Sequence, residues 1–96
     1  MLEIRTSCEN CAIELLPNSS IAMICSFECT FCKDCVETVL ENVCPNCGGG
    51  FENRPIRPKD LVEKYRAEDK SVIKPIIMEQ FYPILTKYKK IRPENR

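Results

Sequence analysis

Apolar positions along this 96-residue chain change period several times. At the start, Leu2 and Ile4 alternate with Glu3 and Arg5, the period of two that marks a short half-buried strand. Residues 21–24 form a second strand candidate, with Ile13, Leu15 and Leu16 ahead of a Pro17-Asn18-Ser19-Ser20 turn. The period then lengthens. Val36, Val39, Leu40 and Val43 fall at i, i+3, i+4 and i+7, which predicts an amphipathic helix after Cys32. Asp60-x-x-Glu63 has the spacing of a capping box and opens a short helix carrying Leu61, Val62 and Tyr65. Over residues 71–91, Ile73, Ile77, Phe81, Ile84, Tyr88 and Ile91 recur near helical spacing. Ser71 can cap that helix, Pro75 suits its first turn, and Pro83 predicts a kink or break. Lys87, Lys89, Lys90 and Arg92 complement the dipole at its C-terminal end.

So short a chain buries little apolar surface in proportion to its length and needs a staple. Cysteine supplies one. All eight Cys lie between positions 8 and 47, as Cys8-x2-Cys11, Cys25-x3-Cys29, Cys32-x2-Cys35 and Cys44-x2-Cys47. Two thiolates of one tight turn chelate one ion, and four such pairs make two tetrahedral S4 sites of the kind structural zinc prefers. The opening residues lack an apolar signal core, so the chain is expected in the cytoplasm with reduced thiols, where metal binding outranks disulfides. We expect two Zn2+ per chain, with iron the less favoured ion. The turn Cys44-Pro45-Asn46-Cys47-Gly48 would also suit iron.

Three pairings keep the close pairs intact. Cys32 and Cys35 open the predicted helix, where the dipole favours thiolate. A metal turn, a hairpin and a helix bringing two more ligands is a treble-clef arrangement. It joins Cys8, Cys11, Cys32 and Cys35 in a first site and leaves Cys25, Cys29, Cys44 and Cys47 for a second. The sites then interleave as a cross-brace. A sequential pairing, first four and last four, is its competitor.

The spacing of the eight cysteines fits the RING finger pattern, with Cys29 where most RING fingers have His. The run from Ile24 through Cys25-Ser26-Phe27-Glu28-Cys29-Thr30-Phe31-Cys32, followed by Cys44-Pro45-Asn46-Cys47-Gly48-Gly49, more closely resembles a bacterial family catalogued as domain of unknown function 1272. Arg54-Pro55-Ile56-Arg57-Pro58 resembles the segment that follows its last metal turn. The resemblance covers roughly residues 1–68 and implies zinc binding in a bacterial cytoplasm, without a reaction. RING fingers that recruit ubiquitin-conjugating enzymes place an apolar residue in the first turn, a large one on the helix, Pro in the last turn and often Arg after it. Asn10, Val39, Pro45 and Gly48 stand there, and only Pro45 fits well.

The formal net charge is zero, but residues 1–50 carry two basic and seven acidic side chains and residues 51–96 twelve and seven. An acidic metal domain disfavours nucleic acid. Arg54, Arg57 and Lys59, spaced by Pro55 and Pro58, are read as a solvated linker. Phe27 and Phe31 are read as packing around a metal site, and Gly48-Gly49-Gly50 as the exit of a metal turn. With no His, no Trp and no Gly-rich phosphate loop tied to a Lys, the chain offers no catalytic centre.

The expected architecture is a small metal-stabilised α+β fold: a two-zinc, RING-like or treble-clef cross-brace domain over residues 1–58, then a basic helical tail over 59–96. The expected function is a non-catalytic zinc protein serving as a platform or adaptor for a protein partner. A RING-type ubiquitin-ligase-like adaptor, a nucleic-acid-binding zinc module and a thiol-based redox or metal sensor are the alternatives. No stretch is long and apolar enough to span a membrane. In the tail, Ile73, Ile77, Phe81, Ile84 and Tyr88 form a candidate partner surface, including for a homodimer. The reading placed ahead of it is that this helix folds back on the zinc domain and enlarges its core; a membrane-surface segment ranks last.

Overall fold

The computed structural model describes residues 1–67 and 71–96; residues 68–70 of the expected tail lie outside the described residues. Among the described residues, three strands form one antiparallel sheet in the order β2-β1-β3, with β1 at Ala22–Ile24, β2 at Thr30–Cys32 and β3 at Glu52–Asn53. Met23 pairs with Phe31 on one side and Asn53 on the other. The β1–β2 connection is itself a cysteine turn. Cys25 N–H donates to Cys29 O (3.2 Å) and Glu28 N–H to Cys25 O (3.1 Å), with Glu28 at φ +66°. Three linking residues ending in the left-handed conformation make a known hairpin geometry, which accounts for the wider Cys25-x3-Cys29 spacing.

Helix α1, Lys33–Thr38, follows β2 directly. It stops short of the predicted residue 43. Leu40 N–H reaches back to Cys35 O (2.9 Å) and Asn42 N–H to Val36 O (3.0 Å), while Glu41 and Asn42 both take positive φ. Those wide backbone bonds close the helix end. Val36, Leu40 and Val43 are nevertheless buried, so the apolar period marked core rather than helix length.

The strand expected around Leu2 and Ile4 is absent among the described residues, although Ile4 is buried. Pairing occurs later: Leu15 N–H donates to Thr6 O (2.8 Å) and Cys8 N–H to Ile13 O (2.9 Å), flanking the first cysteine turn. Helix α2, Lys59–Val62, forms without the expected capping box, because Asp60 lies inside the helix and Pro58 occupies the cap.

Helix α3 runs Met78–Tyr88, where 71–91 was expected. Residues 74–76 stay outside the helix because Lys74 precedes Pro75, which disfavours helical backbone, and because the amides of Lys74 and Ile76 bond elsewhere. Pro83 sits inside α3 without ending it. The missing amide faces the first turn of a largely exposed helix, where water can serve the freed carbonyl.

One hydrophobic cluster joins Leu15, Ala22, Phe31, Val36, Leu40 and Val43 to Phe51, Phe81 and Leu85. Phe31 and Phe51 meet edge to face, ring centroids 5.5 Å apart. The tail therefore shares the core of the cysteine-rich part. This corrects part of the partner-surface reading: Phe81 is 2% exposed, and Ile84 and Tyr88 pack against the core, because the apolar stripe of α3 covers it. Ile73 and Ile77 remain 50% and 56% exposed.

The linker reading of Arg54 and Arg57 is also corrected. Arg54 is 3% exposed, and its guanidinium donates to the carbonyls of Arg5 (2.6 Å), Leu16 (2.7 Å) and Leu15 (3.2 Å). Arg57 donates to Leu2 O and Tyr65 O, both at 2.7 Å. Together they sew the N-terminal segment to the chain after β3. Lys59 is exposed, as a solvated residue should be.

Candidate metal centre

Two cysteine turns are built alike. In the first, Ala12 N–H donates to Cys8 O (3.0 Å) with Ala12 at φ +65°; in the other, Gly48 N–H donates to Cys44 O (2.8 Å) with Gly48 at φ +78°. Each turn thus ends in left-handed backbone immediately after its second cysteine. Cys32 caps α1, its Sγ accepting from Cys35 N–H at 3.4 Å.

The sulfurs of Cys8, Cys11, Cys32 and Cys35 all lie within 4.8 Å of one another. Cys11 Sγ and Cys32 Sγ, 21 residues apart in sequence, are 3.7 Å apart. A tetrahedron with metal–sulfur bonds of about 2.3 Å has edges of about 3.8 Å, whereas a disulfide would be about 2.05 Å. The separation fits a tetrathiolate ion site, and all eight cysteines are free. Cys25, Cys44 and Cys47 form the second group within 4.8 Å. Cys29 stands outside that limit, yet Asn46, between Cys44 and Cys47, donates from Nδ2 to its sulfur at 3.3 Å. The groups interleave along the chain, and the sequential pairing is not what the structure shows. Both can hold a metal ion, and their all-sulfur donors are consistent with zinc.

Hydrogen bonds to sulfur surround both groups. Phe27 N–H donates to Cys25 Sγ (3.3 Å) and Gly49 N–H to Cys47 Sγ (3.4 Å). Asparagine side chains supply two more. Asn10 Nδ2 donates to Cys35 Sγ (3.4 Å), and Asn46 Nδ2 to Cys29 Sγ (3.3 Å). Each Asn precedes the second cysteine of its own turn and reaches a sulfur of the other pair in its group. Sequence reasoning takes neither as a partner of sulfur, although Asn-Cys recurs at the same place in Cys8-Glu9-Asn10-Cys11 and Cys44-Pro45-Asn46-Cys47.

Without metal, protons distribute unequally over these thiols. The bond from Cys44 lowers Cys29 to about 5, with Asn46 adding to the effect against burial, while Cys44 is pushed up by that same bond and by burial. Burial raises Cys25 to about 11 and also raises Cys35 and Cys32. Burial works against the Cys8 thiolate too, but hydrogen bonds from the backbone at Cys11, Cys32 and Asn10 outweigh it, and its pKa is lowered. Cys8 and Cys29 are thus the thiols biased toward thiolate, whereas Cys25, Cys32, Cys35 and Cys44 give up protons to an incoming ion.

Glu9 ties the first turn to the sheet. It is buried, accepting from Thr30 N–H (2.7 Å) and pairing with Arg5 (3.1 Å). Burial raises its pKa, and the charge of Cys29 adds to that, against the Thr30 and Arg5 bonds.

Of the aromatics read as packing, Phe31 is buried as expected but Phe27 is not. Phe27 is 72% exposed at the tip of the Cys25-x3-Cys29 turn, where the three-residue loop projects it away from the core.

Gly48 meets the tail closely. A Cβ there would lie 2.6 Å from Tyr88 Cε2 and 2.9 Å from its Cδ2, on backbone an L side chain rarely adopts. Gly48→Ala is expected to cost about 1–3 kcal/mol through overpacking, read as a lower urea midpoint of the metal-loaded chain. Tyr88→Ala in that background should cost less than its effect alone, since it also relieves the clash. Additive losses would show that the two residues do not press on each other.

The family profile of DUF1272, described as proteins of unknown function, matches residues 1–57. An uncharacterized protein of Rhizobium meliloti (strain 1021) is 52% identical over 75 residues, covering 78% of this chain and 89% of its own. No solved structure matches the chain. Among the described residues no helix is long and apolar enough to cross a membrane. With its interleaved cysteine groups and this match over more than half its length, the chain belongs to the DUF1272 family.

Proposed function

We propose that this chain is a non-catalytic zinc protein of the cytoplasm, holding two Zn2+ in a RING-like cross-brace and presenting a rigid surface to a protein partner. The observation that carries the reading is Phe27, 72% exposed on the turn between Cys25, a member of the second group, and Cys29. A large aromatic held out by a metal turn loses little side-chain freedom on docking, and such residues dominate interface energetics. Glu28 follows it, and residues 1–50 are acidic overall. The complementary partner therefore offers an apolar pocket with a basic rim. Four thiolates fill the coordination sphere of zinc and leave no open position of the kind water activation needs.

The ligase-type alternative is weakened by the tail. Asn10 is bonded to Ile76 N–H (2.9 Å), Pro45 lines a groove with Ile76, Phe81 and Ile84, and Gly48 lies under Tyr88. Two of the four positions that would face a conjugating enzyme are thus met by this chain's own C-terminal segment, and a third shares a groove with it.

Elemental analysis of purified protein is expected to give two zinc ions per chain. Phe27→Ala should leave zinc content and thermal midpoint unchanged, within about 0.5 kcal/mol of stability for an exposed site. It should also weaken capture of partners from the native cell at least tenfold. Undiminished capture by the variant would remove Phe27 from the interface.

A further inference from the structure

We infer that Asn10 makes metal loading of the first cysteine group and seating of the C-terminal helix one coupled event, a regulation of the platform that rests on the zinc reading above. Both ends of this one planar amide are engaged. Nδ2 donates to Cys35 Sγ at 3.4 Å, and Oδ1 accepts from Ile76 N–H at 2.9 Å. Rotating the amide to release either partner misaligns the other. The neighbouring residue adds a second clasp, Lys74 N–H to Glu9 O at 2.6 Å. The segment that enters α3 is therefore fastened to the first cysteine turn itself, one residue on either side of the clasp from a ligand candidate.

What hangs behind that fastening is the face of α3 that completes the core, with Phe81 and Leu85 buried in it. An ion gathering four sulfurs fixes Cys35 and the turn bearing Asn10, and so holds Oδ1 where Ile76 can donate. The reverse must also hold. A seated tail holds the amide so that Nδ2 points at sulfur, and by linkage it tightens the metal site by the same factor by which the metal tightens the tail. Groups that orient metal ligands commonly change affinity about 10–100-fold when removed. Here one such group is shared with a segment 66 residues away in sequence. The composite surface over the groove between the two turns thus exists only in the loaded chain.

Crossed variants of the full-length, zinc-loaded protein test this. Asn10→Asp keeps an acceptor for Ile76 N–H but loses the donor to sulfur and sets a negative charge beside it. Ile76→Pro keeps the sulfur bond but removes the tail's donor. Asn10→Ala removes both. Zinc transfer to a chromophoric chelator reports the metal sites, and hydrogen exchange of the α3 amides reports the tail. Coupling requires each variant to move both readouts, by about three- to tenfold for one lost hydrogen bond. The decisive arms are faster zinc release from one site in Ile76→Pro, which alters no cysteine, and faster α3 exchange in Asn10→Asp. If Ile76→Pro changes exchange alone and Asn10→Asp zinc release alone, the two events are independent and the inference is overturned. That outcome leaves the zinc reading standing; a purified chain with no zinc overturns both.

Discussion

Stripping the metal from the purified chain is expected to unfold it. Among the described residues the sheet has strands of three, three and two residues, and α1 spans six, too few for independent stability. What joins these pieces is sulfur. The β1–β2 turn, the start of α1 and both other turns are cysteine-bearing, and six of the cysteines are counted among the residues of the core cluster. A structural zinc ion contributes roughly 10–16 kcal/mol of apparent binding free energy. The net stability of a whole domain is about 5–15 kcal/mol. Losing even one ion therefore removes stability on the scale of the whole margin. A strong chelator should collapse the far-UV dichroism and expose the α3 amides to exchange, and two equivalents of zinc should restore both. Acid should act the same way. Burial holds Cys25 at about 11 and raises Cys35, so an ion binds by expelling their protons, and falling pH favours protons over metal. An unchanged dichroism spectrum after verified metal removal would show that the polypeptide holds itself together.

The cysteines could be read directly because their chemistry is local: two residues between thiols define a chelating turn whatever surrounds it. The β1 strand and the start of α1 were legible for the same reason, since period and cap are local signals. The end of α1 was not. Val39, Leu40 and Val43 keep a helical period beyond Thr38, but Glu41 and Asn42 turn left-handed, and neither is a glycine that would advertise it. The two arginines after β3 were misread because composition cannot tell a solvated cation from one that finds three carbonyls. Arg54 and Lys59 carry the same charge in one Pro-spaced run, and only the fold sets the first against three carbonyls. Asn10 and Asn46 were the missed signal nearest the surface of the sequence, a repeat of one residue at one place in two turns. The tail's apolar stripe was legible from its period, and of the readings open to it the structure shows the fold back onto the core.

Arg54→Met in the zinc-loaded chain is expected to lose about 2–5 kcal/mol, the scale of three carbonyls left without their donor less the cost of burying the charge. The guanidinium is not there for a carboxylate. It ends on the carbonyls of Arg5, Leu15 and Leu16, and its own backbone amide bonds Ala22 O (2.9 Å), so one residue ties the N-terminal segment, the turn before β1 and the sheet. Burial, and then the charge of Arg57, hold its pKa below the ordinary guanidinium value, which means the charge is costly where it sits. A methionine of similar length relieves that cost. The carbonyls gain nothing from the exchange: buried acceptors left without a donor cost about 1–3 kcal/mol each, and this loss outweighs the relief. Arg54→Lys should recover only part of it, because an ammonium is a point donor and cannot reproduce a planar fork that reaches three carbonyls. Zinc content should stay at wild type in both variants, since Arg54 makes none of the hydrogen bonds to sulfur described above. Urea midpoints at saturating zinc measure the effect. A methionine variant as stable as the parent would mean that water, not Arg54, serves those carbonyls.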